Sequence, residues 1–247
     1  MIRDITAAGG HYAIINRYRH PSLAPLVAQG KGKRSVFDVE KIAEMAQSTL
    51  SFIEQCGRKG QVILFVSTRY ETVDLVEQTA KNLSLPYMLN RWIGGTLTNF
   101  KNIRSRLNRL AQLEKEQKDG KWKKYTKKEK VLMKREMTKL EGRFSGIASM
   151  ENPPAAIFIL DTRKEKNAVT EATQINIPII GFSNADADKN LIQHPIIANI
   201  QSRQTVEYIL SLVEKAYKAG AAKKGAQPEQ EKEGNKKANQ DTAKGKE

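Results

Sequence analysis

Cysteine is almost absent. The single Cys56 in 247 residues excludes an intramolecular disulfide and a cysteine-ligated metal cluster, and in "FIEQCGRKG" it reads as a residue near a helix end, before Gly57, in a reducing compartment. No apolar run approaches the roughly 18 residues of a membrane helix. "MIRDITAAGG" lacks a charged region followed by an apolar stretch and a cleavage site, so a soluble, cytoplasmic protein with no membrane partner is expected. The three histidines, His11, His20 and His194, show no ligand spacing. "SNADAD" (183–188) has neither the glycine nor the closing glutamate of an EF-hand loop and reads as a turn, so no metal is expected. Neither G-x-G-x-x-G after a strand nor G-x-x-x-x-G-K-[ST] occurs, and no other cofactor is expected. Acidic residues are also few. With 27 Asp and Glu against 42 Lys and Arg the net charge is +15, which points to a polyanionic partner, most often nucleic acid.

What is present reads as alternating strands and helices. Val39, Ile42, Met45, Ala46, Thr49, Leu50 and Ile53 recur at helical spacing behind Asp38, a candidate N-cap. "QVILFV" (61–66), "LPYML", "AAIFIL" (155–160) and "IPIIGF" (177–182) read as buried strands. Helical patterns cover Tyr70 to Leu83, Glu165 to Ile175 and Arg203 to Ala219. Parallel strands need crossovers, and crossover helices cover both sheet faces, so the expected fold is a three-layer α/β domain with a mostly parallel sheet. It is discontinuous, 1–100 and 150–219, and the polar stretch 220–247 is expected to be a disordered tail.

The insertion 101–149 holds 16 Lys and Arg against 6 Asp and Glu, a net +10. Ile103, Leu107, Leu110 and Leu113 form one narrow apolar seam, and Met133, Met137, Leu140 and Phe144 form another. Asp119-Gly120 marks a turn, and "TKKE" (126–129) has the form of a capping box. These features predict an antiparallel coiled-coil hairpin that projects from the domain. Its basic residues Lys101, Arg104, Arg106, Arg109, Lys121, Lys123, Lys124, Lys127 and Lys128 are candidate RNA ligands, with Arg17 and Arg19 as a second basic place.

The strand ends would form a polar rim from Ser67, Thr68, Arg69, Asn90, Arg91, Asp161, Thr162, Arg163, Ser183, Asn184 and Asp186. Such a rim is where α/β enzymes bind nucleotides or sugar phosphates, and this is the alternative function. Asp161 is expected to cap the next turn or pair with a rim arginine.

"RWIGGTLTNF" (91–100) joins the two parts. Gly94 and Gly95 allow a sharp turn, Trp92 can pack beside it, and Thr98 or Asn99 can cap the helix that follows. With Arg91, these residues are read as a structural hinge. The stretch resembles the signature of the bacterial small-subunit ribosomal protein two family, as do "ILFVSTR" (63–69), "DGKWKKYTKKE" (119–129), "PPAAIFILDTRKEKNAVTEA" (153–172) and "IPIIGFSNADAD" (177–188), over roughly residues 7–215. The resemblance implies a structural protein of the small ribosomal subunit without catalysis. Its partners would be ribosomal RNA and neighbouring small-subunit proteins, including the large multi-domain ribosomal protein one. Two stretches depart from the family pattern. "GGHYAIINRYRHPSL" (9–23) keeps His11 but lacks the family's second histidine and its tryptophan, and "ANIQSRQ" (198–204) replaces an Ala-Asn-Asp-Asp element.

Overall fold

A computed structural model describes residues 1–28 and 34–223. The N-terminal portion forms α1 (Ile2–Ala7) and a small antiparallel sheet in which β1 (Tyr12–Ile15) and β2 (Val27–Ala28) flank β3 (Arg34–Phe37). Strands β1 and β2 are exposed or half-buried along their length, without the buried run that marks a covered strand, and the pattern reading has no element here.

In α2 (Val39–Lys59) the Asp38 carboxylate accepts from the Lys41 N–H at 3.4 Å. The helix does not stop before Gly57. A Cβ there would lie 2.2 Å from the Tyr217 carbonyl oxygen, so the glycine serves a close helix crossing. Gly60, at φ 64°, is the residue that ends the helix in the left-handed region.

There follow β4 (Ile63–Val66), a 3₁₀ turn (Tyr70–Thr72), α3 (Val73–Asn82), β5 (Tyr87–Met88), α4 (Phe100–Lys118) and α5 (Lys127–Phe144). The chain then forms β6 (Ala156–Leu160), α6 (Lys166–Gln174), β7 (Ile179–Ser183), β8 (His194–Ile197) and α7 (Arg203–Lys223). The extra strand β8 carries Pro195 and lies at the sheet edge, where proline is tolerated. Helix α7 passes Ala219 because α2 supports it. A Cβ on Gly220 would come 2.0 Å from the Glu54 carbonyl oxygen, and Lys223 pairs with Glu54 at 2.5 Å. The start of the expected tail is therefore helix, and its remainder, 224–247, lies outside the described residues.

The five-stranded sheet is entirely parallel, in the order β5-β4-β6-β7-β8. Its side chains alternate between two covers. Ile63, Phe65, Phe158, Leu160, Ile180 and Phe182 share one cluster with α2, α3 and α7. Leu64, Val66, Ile157, Ile159 and Ile179 share the other with α6, Trp92, Leu97 and the inner faces of α4 and α5. With both faces covered, the domain has three layers, and the third layer continues into the basic helix pair.

Candidate nucleic-acid interface

Helices α4 and α5 run antiparallel. Arg104 donates to the Met150 carbonyl at 2.8 Å near the root, and further out Arg109 donates through Nε and Nη2 to both oxygens of Glu136 at 3.2 and 3.3 Å. Seven of the eight seam positions are buried, and Met133 is half-buried against them. At the far end Gly120 takes φ 69°, and Thr126 and Glu129 form a reciprocal capping box, with the Glu129 carboxylate accepting from the Thr126 N–H at 2.8 Å. Bonding to that N–H and to the Thr126 hydroxyl lowers the Glu129 carboxyl below its ordinary range.

The expected RNA ligands divide into two sets. Arg104 and Arg109 make the internal bonds just given, Arg104 through Nη1 alone and Arg109 across the helix pair. Lys101, Arg106, Lys123, Lys124, Lys127 and Lys128 are exposed, and Lys121 is exposed with Asp119 at 3.5 Å. Arg17 and Arg19 do not join this group. They flank Tyr18 in the N-terminal segment, whose His20 N–H bonds the Ala185 carbonyl, and the Arg17 guanidinium lies 5.8 Å from the Tyr18 ring centroid.

The expected hinge is organised by a residue outside it. Glu171, 9% exposed, accepts from the Trp92 indole N–H at 2.9 Å and the Gly95 N–H at 2.8 Å through Oε1. Through Oε2 it accepts from the Leu97 N–H at 3.0 Å and from the N–H and hydroxyl of Thr98, each at 3.3 Å. Burial pushes this carboxyl up, but the bonds from Trp92, Leu97, Gly95 and Thr98 outweigh it and hold it below the ordinary carboxylate range. Gly95 has φ 85°, whereas Gly94 has open space around it and Arg91 is exposed. The capping expectation needs correction. Asn99 occupies the N-cap position of α4 without a side-chain cap bond, and the Thr98 hydroxyl goes to Glu171. Glu171 itself is legible after the fact as an acid on the apolar arc of α6 that holds Ala168, Val169 and Ala172.

The strand-end rim is largely closed by its own side chains. At the β4/β6 crevice, where the strand order reverses and an α/β enzyme would place a ligand, Glu165 is 4% exposed and accepts from the Thr68 N–H at 3.1 Å and from the Thr68 hydroxyl. Burial pushes the Glu165 carboxyl above its ordinary range against those bonds. Arg69 pairs with Asp161 at 3.1 Å, and Lys164 donates from Nζ to the Thr68 carbonyl at 2.9 Å. Asp161, at φ 70°, also accepts the Lys164 N–H, so it both pairs with an arginine and caps a turn. Thr162 bonds Ser183, Arg163 bonds Asp186, Asn90 donates to the Gly142 carbonyl, and Asn184 accepts from the Ile14 N–H.

A family model described as ribosomal protein S2 matches residues 5–220. The chain is 34% identical over 218 residues to the small ribosomal subunit protein uS2 of Amoebophilus asiaticus, covering 88% of this chain and 70% of the relative. Against the protein of that name from Mesoplasma florum it is also 34% identical over 218 residues, covering 88% and 82%. Against that from Flavobacterium johnsoniae it is 31% identical over 230 residues, covering 93% and 91%. A basic antiparallel helix pair set on a parallel α/β sheet, with an occluded strand-end crevice, thus stands in a chain that belongs to the ribosomal protein S2 family.

Proposed function

We propose that the chain is a structural constituent of the small ribosomal subunit, not an enzyme, and that residues 101–149 form an arm that holds ribosomal RNA. The observation that carries the RNA contact is the state of Lys123, Lys124, Lys127 and Lys128. All four are exposed near the turn of the arm, and no acid among the described residues pairs with them. Clustered unpaired ammonium groups repel one another, and a polyphosphate backbone removes that cost while releasing its own counterions. Recognition is of backbone charge and shape, because the deep groove of A-form RNA gives side chains little sequence to read.

Protein partners meet the other end. Strand β1 is an edge strand with Tyr12 51% and Ile15 49% exposed, and we place contacts with neighbouring small-subunit proteins there, including the large multi-domain ribosomal protein one. Sedimentation with small subunits lacking this protein tests the assignment. The chain is expected to travel with the subunits at moderate salt, and failure to do so would contradict the function.

A further inference from the structure

Glu165 closes the crevice between β4 and β6, but the next one, between the ends of β6 and β7, is open. It holds a cavity of about 340 Å³, at the lower end of the range that takes a small organic group. One wall is apolar. Val169 and Ile192 are buried along it, and Leu191 is 46% exposed over it. The rim beside this wall sets two cations, Arg163 and Lys166, against two acids, Asp186 and Asp188. Lys166, in the first turn of α6, has no acidic partner among the described residues, and Arg163 spends only Nη1 on Asp186, at 2.8 Å. Remaining guanidinium donors, an ammonium and the positive end of a helix together favour an anion. His20 and Asp188 also line the cavity, 3.8 Å apart, and Asp188 accepts the Asn190 N–H at 3.0 Å.

We propose that this crevice receives one nucleotide of ribosomal RNA swung out of its stack, with the base against Val169, Leu191 and Ile192 and a phosphate at Arg163 and Lys166. The proposal rests on the reading of the chain as an RNA-bound subunit component. An inorganic phosphate would leave the apolar wall bare, and an apolar ligand would leave Lys166 and the spare Arg163 donors unmatched, whereas a nucleotide carries both halves. Unstacked bases in loops and bulges are the part of folded RNA that proteins grip this way, between apolar or aromatic side chains. A free nucleoside monophosphate has the same chemistry, so the test separates the two sources.

The test is ultraviolet crosslinking of the full chain to small-subunit ribosomal RNA, with nucleotide-bearing peptides identified by mass spectrometry. Thr170→Met fills the cavity mouth from an exposed position whose hydroxyl bonds only its own helix, and Leu191→Ser removes the exposed part of the apolar wall. The parent is expected to carry an adduct within residues 162–170 or 188–192. Both variants should lose it while keeping adducts on the arm, with RNA affinity about tenfold weaker, the loss of one base contact. Arm adducts without a crevice adduct, or a crevice adduct unchanged in both variants, would overturn the nucleotide site and leave RNA binding intact. No adduct anywhere would overturn both readings. Tight binding of AMP, GMP, CMP or UMP that the RNA cannot displace would also overturn the proposal, by assigning the crevice to a free nucleotide.

Discussion

The indole N–H of Trp92 donates to Oε1 of Glu171 at 2.9 Å, and this bond ties the loop after β5 to the middle of α6. The same carboxylate takes the N–H groups of Gly95, Leu97 and Thr98, which no sheet or helix partner satisfies. Helix α4 begins directly afterwards, at Phe100. The loop that immediately precedes the arm is therefore held by one buried carboxylate.

Glu171→Gln should destabilise the protein by about 2–3 kcal/mol, because an amide turns donors toward donors and leaves buried N–H groups unsatisfied. Glu165→Gln should be neutral or stabilising, since burial already disfavours its charge and an amide oxygen can still accept from Thr68. Urea unfolding at neutral pH measures both. Equal losses in the two variants would contradict the contrast.

The two acids also predict opposite pH dependences. Glu171 has a folded pKa below its unfolded value of about 4.3, so its stabilisation is complete above that value and is lost as pH falls toward the folded one. Glu165 has a folded pKa above its unfolded value, so it opposes folding at neutral pH and that opposition fades as pH falls through the folded value. The gap between the parent and Glu171→Gln should shrink in unfolding curves as pH drops from about 6 to about 3.5, on either side of the unfolded value. The gap for Glu165→Gln should shrink at higher pH than that.

Glycine substitutions sort by geometry. Gly57→Ala and Gly220→Ala drive a Cβ to 2.2 and 2.0 Å from carbonyl oxygens across the α2/α7 crossing, and each should cost about 3 kcal/mol. Gly95→Ala should cost about 1–2 kcal/mol because φ is 85°. Gly94→Ala has nothing within 4 Å and should be within about 0.5 kcal/mol of the parent. Thermal unfolding of the four variants checks the order.

The depth at which the arm is removed should matter. Ile103, Leu107, Phe144 and Ile147 belong to the same apolar cluster as Leu64, Val66 and Ile157 of the sheet. Excising 101–149 would uncover that cluster, so the truncated chain should aggregate or unfold. Replacing only 114–130 with a short glycine linker should leave cooperative unfolding intact and remove most RNA affinity. A fully folded 101–149 deletion would show that the arm root is dispensable to the core.

The parallel sheet, its covering helices and the capping box were legible because each announces itself locally, through buried apolar runs, a 3.6-residue period or a fixed polar spacing. What was not legible depends on contacts between distant segments. Gly57 looks like a helix stop until Tyr217 is placed against it. Glu171 looks like a surface acid until the loop of Trp92 folds over it, and Glu165 likewise until Thr68 arrives. The strands β1, β2 and β8 are exposed or only partly buried and lack a buried apolar run like those of β6 and β7. Among the basic residues, charge alone could not distinguish Arg109, bound to Glu136, from the unpaired Lys123 beyond it.

The proposed function requires that the exposed lysines near the arm's turn meet RNA phosphates. Lys123, Lys124, Lys127 and Lys128 changed together to Gln keep the apolar seam and helix propensity, while Leu107 and Leu110 changed to Ala loosen the seam and keep the charge. Binding to small-subunit ribosomal RNA across a salt series, with circular dichroism for helix content, measures both variants. The Gln variant should bind more weakly, with a plot of log affinity against log salt shallower by roughly two to four, at about 0.9 per phosphate contact on duplex DNA and about 0.7 on single strands. The Ala variant should lose affinity at an unchanged slope. An unchanged slope in the Gln variant would contradict the claim and move the RNA contact elsewhere, to Arg17 and Arg19 first.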